Sequence, residues 1–173
     1  IVGKIEKLFA KVDETIRLRT EAITDSEAIL SSALHQVFSR AEKENWPIKK
    51  LGEATILNPK KSEVKDFSDN KEVSFVPMAA VDEKTQSIKE IEFRKLISVR
   101  KGYTYFKNGD VLFAKITPCM ENGKVAIAEN LKNGIGFGST EFHVIRPTKS
   151  ILAEWIYYIF YLYYQALSKI KAC

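Results

Sequence analysis

The sequence predicts an α+β chain: a long N-terminal coiled-coil helix, then a mainly antiparallel β domain, then a C-terminal helix packed on that domain. Three observations predict it. Apolar residues recur every seven positions from Val2 to Val37. Short apolar runs then alternate with Asn-Gly and Asn-Pro turn signals up to Ile145. Finally, Ala153–Lys171 contains neither Gly nor Pro and spaces its large apolar residues as a helix does.

The first segment runs from about Lys4 to Glu44 and contains no Pro; its one neighbouring Gly, Gly3, stands just before it. Val2, Phe9, Ile16, Ile23, Leu30 and Val37 form one row. A second row opens with Ile5 and Val12, then degrades to Arg19, Ser26 and Ala33, and a third holds Leu8, Ala22 and Ile29. A sustained seven-residue repeat keeps one seam on one face, which is the signature of a coiled coil. About 40 residues at 1.5 Å each make a rod of roughly 60 Å. A rod that long needs a partner helix, in the same chain or another. The competing reading, an amphipathic helix lying on its own domain, is disfavoured by the length and the period. The breaks at Arg19 and Ser26 argue against a simple two-stranded zipper. Phe9, Ile16, Ile23, Leu30 and Val37 are the candidate coiled-coil interface, and free stalk helices are expected to pair as a homodimer.

Trp46-Pro47 ends the helix, because Pro cannot continue it and pushes its predecessor towards extended backbone. Strands are expected at Ile48–Leu51, Val73–Val76, Val111–Ile116, Lys124–Ala128 and Phe142–Ile145. Between them lie Asn58-Pro59, Ser68-Asp69-Asn70, Lys107-Asn108-Gly109-Asp110, Glu121-Asn122-Gly123 and Lys132-Asn133-Gly134, which favour tight turns. Gly109-Asp110 is expected to set the turn into a central strand, and a short helix is expected around Glu90–Leu96. The third segment places Trp155, Ile156, Ile159, Phe160, Leu162 and Tyr163 at helical spacing, and its aromatic stripe reads as core. The expected division is 1–45 for the stalk helix and 46–173 for the β domain, with 148–173 its helical part.

The 173 residues are 45% hydrophobic, enough for one domain with a sizeable core and little more. The net charge of +5 is placed unevenly. Residues 1–46 hold seven Lys/Arg against eight Asp/Glu, whereas residues 47–149 hold eighteen against thirteen. The surplus lies where a nucleic-acid surface would be, although on charge alone an ordinary solvated surface is an equal alternative. Cys119 and Cys173 are far apart and lack metal spacing, which fits a reducing cytoplasm better than a disulfide scaffold. Ile1-Val2-Gly3-Lys4 is no signal peptide, and a start at Ile points to a fragment or a processed chain. The stretch Ile151–Leu167 holds Glu154, is rich in Tyr and falls short of the about 20 apolar residues a membrane span needs.

Catalytic constellations are missing. His35 falls in the stalk and His143 in an expected strand, neither with Cys or Asp at ligand spacing, so neither metal nor cofactor is expected. Gly134-Ile135-Gly136-Phe137-Gly138 is followed by Ser139-Thr140-Glu141-Phe142 and a strand, not by a phosphate-binding helix. It reads as a loop whose backbone must turn sharply or approach a neighbour closely. No Walker-type loop, no Asn-Pro-Pro-aromatic or Asp-Pro-Pro-Tyr methyltransferase motif and no nuclease-like Asp…Glu-x-Lys arrangement stands out. A binding protein is expected, not an enzyme.

Gly109-Asp110-Val111-Leu112-Phe113-Ala114-Lys115-Ile116-Thr117-Pro118, then Glu121-Asn122-Gly123-Lys124, forms a longer pattern. Gly136-Phe137-Gly138-Ser139-Thr140-Glu141-Phe142 and Val144-Ile145-Arg146-Pro147 follow it. The succession resembles the target-recognition domain of type I restriction–modification specificity subunits. Trp46-Pro47-Ile48-Lys49-Lys50-Leu51-Gly52-Glu53 resembles the lead into such a domain, and Ile1-Val2-Gly3-Lys4-Ile5-Glu6-Lys7-Leu8-Phe9 looks like the start of that family's conserved spacer helix. The resemblance covers nearly the whole chain. It implies a non-catalytic cytoplasmic subunit with two recognition domains held apart by two antiparallel helices. Each domain would read one half of a split double-stranded DNA sequence, with methyltransferase and restriction subunits assembling on the whole. This chain departs in extent, having one helix and one domain, and resembles the second half of such a subunit or a half-size relative.

In such a domain, Lys and Arg contacts to phosphates supply salt-sensitive affinity, and side chains at base edges supply sequence. The candidate DNA-binding residues are Lys60, Lys61 and Lys65 in the first loop, Lys115, Thr117, Asn122 and Lys124 around the Thr-Pro loop, then Ser139 and Thr140. For each lysine a solvated surface position competes, and the Asn and Thr residues also suit turns and caps. Three other functions compete: a coiled-coil adapter whose β domain binds protein, the recognition module of a fused restriction–methylation enzyme, and an RNA-binding β domain. The lack of an aromatic, RNP-like strand argues against the last.

Overall fold

The structure is a computed structural model. It describes residues 2–83, 85–115 and 123–171, with the side chains of all but residues 27, 42 and 165–171. The chain forms two compact units, Ile1–Pro47 and Ile48–Cys173.

The first unit is helix α1, Val2–Lys43. Nothing in its interior breaks a helix, and Arg40 and Lys43 in its last turn complement the negative end of the helix dipole. Arg17 bridges Glu14 and Glu21 at one-turn spacing on the exposed surface, where solvent screens such pairs. Backbone bonds from Glu44 to Arg40 and from Trp46 to Ala41 close the end before Pro47 stops it. Phe9, Ile16, Ile23, Leu30 and Val37 are exposed along it.

The second unit opens with a single helical turn, α2 (Leu51–Ala54), followed by β1 (Thr55–Leu57). Then come β2 (Glu72–Val76), β3 (Glu92–Lys95), the short α3 (Leu96–Val99), β4 (Thr104–Lys107) and β5 (Val111–Ala114). The chain continues with β6 (Val125–Ile127), β7 (Ile135–Gly138), β8 (Phe142–Pro147) and α4 (Ala153–Lys171). Two four-stranded sheets result, in the orders β1-β8-β5-β6 and β3-β2-β7-β4. Pairing is antiparallel except for β2 against β7.

Strand alternation places each side chain. Val76, Phe106, Leu112, Ala126 and Val144, drawn from both sheets, form one buried cluster that joins them. The opposite face of the second sheet buries Val73, Phe75, Ile135 and Phe137 against Val64, Leu96 and Val99. The opposite face of the first buries Val111, Val125 and Ile145 against Ile156 of α4, where Phe113 and Phe160 rings meet at 4.5 Å. Ile156 and Phe160 of the α4 stripe are therefore core packing, whereas Ile159 and Tyr163 stay exposed. Between β4 and β5, Gly109 adopts φ +84° and Asp110 donates its N–H to Lys107 O, so the turn hands the chain from one sheet to an inner strand of the other.

The structure corrects three expectations. Ile48–Leu51 is not a strand; Ile48 is fully exposed, and the strand forms later, at Thr55, where Thr55–Leu57 pairs with β8. The segment around Glu90–Leu96 is strand β3, because its backbone pairs with β2 along the sheet edge, and only the following turn is helical. Gly136 and Gly138 lie in a buried strand, not a loop, although the close approach expected of their backbone is present.

Candidate nucleic-acid interface

The first loop of the β domain carries three candidate lysines, and the fold fixes it from two sides. Lys61–Val64 forms a 3-10 turn, with Lys60 and Lys65 exposed at its ends. Arg100, at the end of α3, donates to Val64 O at 3.3 Å and Phe67 O at 2.9 Å, and pairs with Asp69 at 3.0 Å. From the other side, Arg146 of β8 donates to both carboxylate oxygens of Glu63 at 2.7 Å. The same guanidinium grips Asp110 through Nε and Nη2 at 2.7 and 2.8 Å. Asp110 also accepts the N–H of Lys107, and Tyr105 donates its hydroxyl to Glu63. The Arg146 and Asp110 side chains are only 8% and 1% exposed, so this ion pair is internal. It locks the loop to the β4–β5 turn.

Burial pushes the Glu63 carboxyl up, but hydrogen bonds and charge from Arg146, aided by Tyr105 and Lys107, outweigh it and hold the group below its ordinary value of 4.5. A carboxylate with a lower pKa in the folded than in the unfolded chain stabilises the fold above the unfolded value. That contribution is lost as pH falls through the folded value. Thermal unfolding at neutral pH and below pH 4.5 is expected to show the wild type losing more stability on acidification than Glu63→Gln. Equal losses would remove Glu63 from the acid response.

Beside the loop runs a shallow groove of about 250 Å³. Lys61, Lys115 and Thr140 meet there with Asn58, Tyr103 and His143, and among the described residues no Asp or Glu lines it. Lys61 spends one ammonium donor on Arg100 O at 3.3 Å, leaving two. Lys115 is exposed, its backbone N–H bonded to Glu141 O. Thr140 is exposed at the turn into β8. Lys124 is not at this groove; half-buried, it donates to Met78 O at 3.3 Å. Ser139 serves the turn, its hydroxyl accepting the N–H of Glu141. Thr117 and Asn122 lie outside the described residues. The framework residues Glu63, Arg100, Asp110 and Arg146 escaped the sequence reading as site residues, although the Gly-Asp and Ile-Arg-Pro pieces carried two of them. Among the described residues, no group of three or more His, Cys, Asp or Glu is placed to hold a metal, and no helix is long and apolar enough to cross a membrane.

Over 109 residues, 63% of the chain, the sequence is 47% identical to the type I restriction enzyme EcoAI specificity subunit of Escherichia coli. It is 46% identical over the same length to the EcoEI specificity subunit of that organism. Over that stretch the chain is similar to the specificity subunits of type I restriction enzymes. It spans 18% of the length of each of these two relatives. No protein-family model matches it. The HsdS subunit from Thermoanaerobacter tengcongensis aligns with 97% of this chain and 41% of its own length, with a TM-score of 0.54 at 23% identity. A chain from a structure of type I R-M complex assembly and conformational transition covers 65% of it and 28% of itself, with a TM-score of 0.51 at 20% identity. The expected α+β architecture, a long helix followed by antiparallel-rich sheets and a C-terminal helix, is thus that of an HsdS subunit.

Proposed function

We propose that this chain is part of a specificity subunit, reads one half of a bipartite double-stranded DNA site and directs methyltransferase and restriction subunits to it without catalysing either reaction. The observation that carries this reading is the groove where Lys61, Lys115 and Thr140 converge from three parts of the chain, with no acidic residue among its described lining. Lys60 and Lys65 extend its positive charge along a loop that Arg146 and Arg100 hold rigid. Ordered cations on a fixed frame suit phosphates at fixed spacing. In this reading the exposed row Phe9, Ile16, Ile23, Leu30 and Val37 pairs with a second spacer helix, from the same subunit or from a second copy.

The test is duplex binding by the full-length subunit assembled with its methyltransferase subunits, at several salt concentrations. Replacing Lys60 and Lys65 together by Ala is expected to leave assembly intact, since both are exposed. The slope of log affinity against log salt should become shallower by about 0.9 for each phosphate contact removed, roughly 1.8 in all. An unchanged slope in an intact complex would favour the coiled-coil adapter, with the β domain facing protein.

A further inference from the structure

Asn58 follows β1 with φ +48° and takes over the pairing with β8. Its backbone N–H donates to Val144 O at 2.7 Å, and its side-chain Oδ1 accepts the Val144 N–H at 3.0 Å. The second bond orients the amide. With Oδ1 committed to Val144, Nδ2 is the atom that faces His143, 3.5 Å from Nδ1. An amide nitrogen only donates, so the contact suits the tautomer in which Nδ1 of the imidazole accepts and Nε2 carries the ring proton. His143 therefore presents one N–H donor, exposed, from β8, an inner strand paired on both sides.

Its neighbours supply more donors. His143 is paired with Phe113, and Lys115, the residue just past the end of β5, is bonded through its backbone to Glu141; both residues line the same groove. Lys61 flanks them, and among the described residues no carboxylate lines the space. In the major groove of DNA only guanine shows two adjacent acceptors, N7 and O6; adenine and cytosine present an amino donor, and thymine a single acceptor beside a methyl group. A pair of neighbouring donors on a rigid strand selects guanine.

We propose that His143 is a specificity-determining residue of this domain, donating from Nε2 to N7 of a guanine, with Lys115 as the second donor and Asn58 as the positioning residue that fixes the tautomer. The proposal rests on the DNA-recognition reading above. It is tested in the assembled native complex by selecting from a randomised duplex pool, then measuring affinity for the selected duplex with 7-deazaguanine substituted in turn at each guanine. His143→Ala removes an exposed side chain and leaves the fold in place. It is expected to lower affinity for the selected duplex about tenfold, to weaken without abolishing the guanine preference at one G·C pair, where Lys115 still meets O6, and to leave non-specific binding and its salt slope unchanged. At that pair, 7-deazaguanine should weaken the wild type by the same factor and the variant no further. Three results overturn the proposal: a guanine preference undiminished in His143→Ala, a loss equal on specific and non-specific duplex with a shallower salt slope, or a 7-deazaguanine penalty equal in both proteins. A wild-type complex that binds all duplexes alike, or none, overturns the DNA-recognition reading and this proposal with it.

Discussion

Arg146→Met is expected to destabilise the β domain by about 3–5 kcal/mol, the range for removing one partner of a buried ion pair. The reason is what remains. Asp110 is 1% exposed and would keep only the Lys107 N–H, while its two short contacts to the guanidinium vanish. A buried carboxylate without its cation must either pay desolvation or take up a proton. Thermal unfolding should register the change as a drop on the order of 10 °C. Adding Asp110→Asn to Arg146→Met is expected to recover part of the loss, because the stranded charge is gone while an acceptor for Lys107 N–H is kept. A single variant as stable as the wild type would show that the pair contributes no net stability. The same substitution frees Glu63, so it should also loosen the loop bearing Lys60, Lys61 and Lys65.

Gly136→Ala is expected to be nearly as damaging, for a steric reason. Gly136 is paired directly with Phe106 across β7 and β4, and the fully buried Phe106 ring lies over it. A Cβ there would stand 2.1 Å from Cε2 of that ring and 2.7 Å from two more of its atoms. The ring cannot swing away, because Val76, Leu112 and Val144 surround it in the cluster that joins the sheets. Overpacking of a filled core costs about 1–3 kcal/mol, and a contact this close belongs at the upper end. Chemical denaturation would measure it, and a second change, Phe106→Leu, should relieve part of it by vacating the space. If Gly136→Ala unfolds at the wild-type midpoint, the ring is not confined as described.

Gly136 also shows why parts of the fold were hidden in the sequence. Glycine is depleted in strands, so Gly134–Gly138 reads as a loop; it is a strand because a neighbour's aromatic ring occupies the space its side chains would need. The pattern of β3 is weak for a different reason: at a sheet edge Phe93 stays exposed, and charged residues alternate around it. By contrast α1, α4, β2, β5, β6 and β8 are legible, since a row at seven-residue spacing, a helical stripe and short apolar runs are local patterns. The groove is not local. Lys61, Lys115 and Thr140 meet only because β5 and β8 pair and the first loop is tied to them through Arg146. The lysines and Thr140 were nameable as residue types on loops, whereas His143 read as a strand residue without ligand partners. Arg146, in a strand beside Pro147, carries no signal that its charge is turned inward.

The hydrogen bonds between Thr148 and Ala54 O, 94 residues apart, together with the Thr55–Pro147 pairing, bring the two ends of this stretch side by side. Everything that carries the groove therefore leaves and rejoins the chain at one narrow neck. A segment with this geometry is portable. Another stretch of different length and different loops, closing on the same antiparallel neck, would meet the flanking chain identically.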